Sequence, residues 1–193
     1  MSSLFHSQAK FIFIGNILFI ICCGFYLAWW LLAFKPVSAV TGMKTDWLLI
    51  PASVSGLIGV ILAMMGIITK IPDKQLLPGS TILIGGIAAF FALLVITVLL
   101  FKRPATSELM LIVGWGMLAL AEINALYGMG MFSRGLSVGF IITICVAVVA
   151  SLVCYVLYYR LDSRASYIDG MIPLILAALS MAGISCFMAI PHK

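Results

Sequence analysis

The chain has 193 residues, of which 64% are apolar and only 9% charged, with a net charge of +5. A soluble domain carries about 25% charged residues to face water; here they are too few, and the hydrophobic effect would drive such a surface onto any apolar neighbour. A soluble globule and a nucleic-acid-binding or separate catalytic domain are thereby excluded: the basic residues are scattered through short connections, and the bilayer with its anionic headgroups is the partner that remains.

About 20 apolar residues span the hydrocarbon core as a helix, and lipid offers a backbone no other hydrogen-bond partner. Six segments qualify: Phe11–Phe34, Trp47–Thr69, Thr81–Phe101, Leu109–Phe132, Leu136–Tyr159 and Met171–Ile190. The expected fold is all-α, a polytopic integral membrane protein in which residues 1–193 form one six-helix transmembrane domain. Span one follows Lys10, and Val37-Ser38-Ala39 resembles a cleavage site. Its apolar stretch exceeds the roughly 7–15 residues of a signal-peptide core, so it is expected to be retained.

Span two carries Pro51 in its first turn, where a helix loses no hydrogen bond, and Pro173 does the same in span six. Pro36, Pro104 and Pro191 follow spans one, three and six, where a helix should stop. Ser55, Gly59 and Ala63 fall four apart in span two, and Gly24/Ala28, Gly85/Ala89, Gly135/Gly139 and Ala178/Ala182 repeat the spacing. Such rows let helix backbones approach closely, within the bundle, across a homo-oligomer seam or against a membrane partner subunit.

With six spans both termini share one side, A. That side holds Lys10, Lys70, Lys74, Arg134 and Lys193, against Lys35, Lys44, Lys102, Arg103, Arg160 and Arg164 on side B. This balance gives no positive-inside bias. The acids Asp46, Glu108, Asp162 and Asp169 fall on side B and Asp73 on side A, which tips the expectation slightly toward cytoplasmic termini in the cell membrane. Trp29, Trp30, Trp47, Tyr158 and Tyr159 mark side B as an interfacial aromatic belt. Lys70 and Lys74 recur as Arg160 and Arg164 at one offset, as a 3+3 inverted repeat would give; coincidence of two basic loop ends is the competing explanation.

The outstanding residue is Glu122 in span four, within Leu118-Ala119-Leu120-Ala121-Glu122-Ile123-Asn124-Ala125. At 1.5 Å rise it sits roughly 15 Å from the side A end of the span. A charge at that depth costs about 2.5–3.5 kcal/mol on insertion scales. Such a carboxyl can exchange protons, coordinate a cation or bond cargo; the bland alternative is interhelical glue. Asn124, Thr143 and Ser180 lie at similar depth, and Asn16 a little shallower, so a layer of polar groups for a small solute or ion is expected, with Trp115 as a lining aromatic. Glu122 and Asn124 are about 200° apart around the helix and cannot both face one narrow cavity.

Other chemistry is not supported. Gly135-Leu136-Ser137-Val138-Gly139 matches the hydrolase elbow pattern, but the only histidines are His6 and His192. The same shortage disfavours a haem or metal site, and no cofactor motif is present. Cys22, Cys23, Cys145, Cys154 and Cys186 fall in apolar runs without a C-x-x-C pair and read as small hydrophobes. Asp162, Arg164 and Asp169 read as a solvated loop cluster. In length and span count the chain resembles small six-helix uptake proteins, such as acetate-uptake transporters and the substrate-binding components of vitamin transporters. That likeness is one of size and hydropathy, and no residue role follows from it. The expected function is a transporter or channel for a small solute or ion, proton-linked through Glu122, with an accessory or assembly subunit of a membrane complex as the alternative.

Overall fold

The computed structural model describes residues 2–33, 45–68, 75–101 and 107–190. All regular elements among them are helical: α1 Ser2–Ala33, a 3-10 turn Asp46–Leu48 running into α2 Leu49–Ile68, α3 Gly79–Phe101, α4 Ser107–Gly128, α5 Arg134–Tyr158, α6 Ser163–Asp169 and α7 Ile172–Ala189. Six helical segments, with α6 and α7 counted together, are long and apolar enough to cross a membrane. The chain is therefore a multi-pass membrane protein. Large apolar side chains such as Leu57, Ile84, Phe91, Leu99, Val146 and Leu179 stand exposed on the outer faces, a surface that lipid can cover and water cannot.

Three of the helix ends differ from the expected ones. α1 starts at Ser2, ahead of Phe11, because helical pairing needs no apolar surface. α4 stops at Gly128 rather than Phe132. Gly130 there takes φ 76°, a left-handed conformation open to glycine, and Met131 and Phe132 donate back to the Leu126 carbonyl at 3.0 and 3.4 Å. The sixth span is broken: α6 ends at Asp169, Gly170 and Met171 turn, and α7 restarts with Pro173 in its first turn. Phe34, Thr69, Pro36, Pro104 and Pro191 lie outside the described residues, as do Val37–Ala39 and most loop charges (Lys35, Lys44, Lys70, Asp73, Lys74, Lys102, Arg103, Lys193).

α4 is the hub. Of its apolar window 61% is buried, against 22% for α1 and 6% for α3. It meets α2, α3, α5 and α7, while α1 runs along α2 and α7, and α3 packs chiefly on α4. The core is built from Ile12, Ala119, Ile123, Leu126, Ile144, Met181 and Ile184.

The α1–α2 seam explains one small-residue row. A Cβ on Gly59 would meet the Gly15 carbonyl oxygen at 2.9 Å, and one on Gly15 would meet the Ala63 nitrogen at 2.8 Å. The backbones touch because neither carries a side chain at the crossing. Gly24, Gly85, Gly135 and Gly139 have nothing within 4 Å of an added Cβ, so their rows make no such contact among the described residues.

Candidate functional site

Glu122 points inward from α4 and is 0% exposed. Its carboxyl lies beside the amide of Asn16 on α1, itself 1% exposed. The approach does not make a formed hydrogen bond. Glu122 Oε1 and Oε2 and Asn16 Nδ2 and Oδ1 are all buried without a hydrogen-bond partner among the described residues. The earlier end of α4 also moves Glu122 to about 9 Å from the side A end of its helix, at 1.5 Å per residue.

The remaining expected residues separate. Asn124 faces away from Glu122, as a 200° rotation requires, and staples the approach to α3. Its Oδ1 accepts from the Leu76 and Leu77 amides at 2.9 and 3.2 Å, and its Nδ2 donates to the Leu77 carbonyl at 2.7 Å. Thr143 is on an exposed face of α5, and its hydroxyl donates to the Gly139 carbonyl at 2.9 Å. Ser180 is half-buried in α7. Trp115 is 5% exposed, and its indole nitrogen has no partner among the described residues. It stands two turns from Glu122 on the same strip of α4. Ser137 of the elbow pattern donates to the Ser133 carbonyl at 3.0 Å, an ordinary bond in the first turn of α5.

Beside the buried pair runs a groove of about 1010 Å³. α4 forms its floor through Gly114, Leu118, Ala121 and Ala125, with Trp115 at the edge; α1, α2, α3, α5 and α7 supply the walls. Glu122 and Asn16 do not line it, although Trp115 on the same strip of α4 does. Asn124 lines it near side A.

The side B end of the groove holds a residue that sequence reasoning placed in solvent. Asp162 and Arg164 are exposed, but Asp169 is 7% exposed and lines the groove. The cause is the break at Gly170. A Cβ there would collide with the Trp30 ring, so glycine lets α1 lie flat on the α6–α7 turn. Trp30 Nε1 then donates to the Tyr167 carbonyl at 3.1 Å, and Tyr167 donates its hydroxyl to the Leu31 carbonyl at 3.3 Å. These contacts join positions more than 130 residues apart, beyond what local sequence could show. The usable signal was adjacency: Asp169 directly precedes a glycine at the mouth of an apolar span.

No group of histidine, cysteine, aspartate or glutamate able to hold a metal occurs among the described residues. Comparison of the chain with protein-family models, with curated proteins and with solved structures gives no match.

Proposed function

We propose that the protein is a small transporter or channel for a small solute or ion, with proton exchange at the Glu122–Asn16 pair coupled to it. One observation carries the reading: four polar atoms of this pair are fully buried and unpartnered inside the bundle among the described residues. An unsatisfied buried polar group costs about 1–3 kcal/mol. Interhelical glue would remove that penalty by bonding, and this pair does not. A carboxyl kept in such surroundings suits a group that takes up and gives away a proton or cation as helices shift.

The groove supports the same reading, since it reaches from the aromatic end on side B to Asn124 near side A. Trp115 stands on the Glu122 strip and also lines the groove, and so links the two. Partial internal symmetry fits a 3+3 inverted repeat: α1 meets α2 and α7 as α4 meets α5 and α3. The α5–α7 contact has no α2–α3 counterpart of similar extent, so the two halves would differ in packing. We place the chain in the cell membrane with cytoplasmic termini, on the acidic bias of side B.

The test is flux in liposomes containing purified protein and a trapped pH-sensitive dye, challenged with a panel of small ions, acids, amines and sugars. Solute-dependent proton movement that disappears in Glu122→Gln is expected. Unchanged flux and pH profile in that variant would overturn the reading. A second reading, an accessory subunit, is favoured by α3, which packs chiefly on α4 and exposes Leu83, Ile84, Phe91 and Leu99. Stoichiometric copurification of a membrane partner that covers this helix would decide for it.

A further inference from the structure

The groove has a chemistry of its own, distinct from the Glu122–Asn16 pair behind it. Its size reaches the upper end of small-ligand sites, and its walls are almost wholly apolar. Among the described residues that line it there is no lysine or arginine. The charged group it does contain is Asp169, 7% exposed, whose Oδ2 is buried without a hydrogen-bond partner among the described residues. The Cys154 side chain lies against this carboxyl, but a thiol is only a weak donor.

Aromatic rings gather around the same end. Trp30 packs on Gly170, the residue after Asp169. The Trp30 and Tyr158 ring centroids are 6.0 Å apart, Tyr158 and Tyr159 5.3 Å, and Tyr159 and Tyr155 5.6 Å, and all four residues line the groove. The faces of such rings attract cations, most strongly where water is excluded.

We infer that the groove binds an amphiphilic organic cation, an ammonium-like or phosphonium-like charge on an apolar body, with Asp169 as counter-charge and Trp30, Tyr155 and Tyr158 about the head. Other occupants fit less well. A hard metal ion needs several oxygen ligands, and among the described residues lining this end Asp169 alone supplies a carboxyl. An anion meets no basic group among the described lining residues. An organic cation gives the carboxyl a partner, and it loses little hydration when it leaves water because its charge is diffuse.

The experiment is equilibrium binding of radiolabelled tetraphenylphosphonium to the purified full chain in maltoside micelles. Saturable binding near one per chain is expected, with triphenylphosphine oxide, a neutral analogue, at least tenfold weaker as a competitor. Asp169→Asn, with melting and elution profile unchanged, should lower affinity at least tenfold. The proposal fails if wild-type binding does not saturate, if the neutral analogue competes equally, or if folded Asp169→Asn binds as wild type does. The analogue comparison needs no variant, so it stands even if Asp169→Asn does not fold. Binding is read without transport, so this site and the proton-coupled reading fail in separate assays.

Discussion

Replacing Glu122 by methionine should make the protein more stable. Glu122 contributes two of the four unpartnered buried atoms in the Asn16 pair. Methionine is unbranched, close to glutamate in length and adaptable in packing, so the exchange removes a buried unpaired group while keeping most of the volume. Relief of an unsatisfied buried polar group is worth about 1–3 kcal/mol, reduced here because Asn16 stays unpaired; we take about 1–2 kcal/mol. For a chain of this size each kcal/mol shifts Tm by about 2–4 °C, so a rise of about 2–8 °C is expected. Melting can be followed in maltoside micelles with a dye that fluoresces on reaching buried thiols, since Cys23 and Cys154 are both buried. Function should move the other way, because polar groups retained at the expense of stability are typical of working sites. A Tm lowered by more than about 2 °C, roughly 1 kcal/mol, would refute the reasoning. It would mean that the carboxyl holds helices together. Asn16→Leu should also stabilise, and its effect should not add simply to that of Glu122→Met, because the side chains adjoin.

Asn124→Ala removes three hydrogen bonds to Leu76 and Leu77; at about 0.6–1 kcal/mol each the loss is roughly 2–3 kcal/mol. Hydrogen exchange should quicken at those two amides and little elsewhere. Gly59→Leu forces a side chain into the Gly15 backbone and should lower stability by about 3 kcal/mol or more, whereas Gly24→Ala, with open space around it, should stay within about 0.5 kcal/mol of wild type on the same melt. Gly170→Ala should displace the Trp30 ring and break its bond to the Tyr167 carbonyl, read as a red shift of tryptophan emission. Thr143→Val should change neither melting nor flux, since that hydroxyl bonds within its own helix on an exposed face.

The six spans could be read from the sequence because lipid imposes one simple rule, a long apolar run, and each helix obeys it independently. Proline positions fixed the starts of α2 and α7 for a local reason, the missing N–H. Glu122 also stood out locally, as an acid within an apolar run. What the sequence hid was relational. Nothing in the neighbourhood of Asn124 shows that its amide is occupied by Leu76 and Leu77, 48 and 47 residues away. Asp169 read as a loop acid because its burial depends on Trp30 from the far end of the chain. The small-residue spacing was right for Gly59 and Ala63 but equally present at Gly135 and Gly139, which have open surroundings. Spacing says that a close approach is possible; only the partner helix, here through Gly15, says whether it happens.

The groove runs between α2 and α3, and residues on its rim such as Met64, Leu83, Met110 and Leu111 are 41%, 53%, 61% and 62% exposed. In a bilayer those side chains face acyl chains, so the opening is a side door onto the hydrocarbon phase. A guest that dissolves in membranes would arrive through the lipid, already concentrated there by partitioning. Its occupancy would follow the amount dissolved per volume of lipid, and diluting the aqueous buffer at fixed membrane loading would change little.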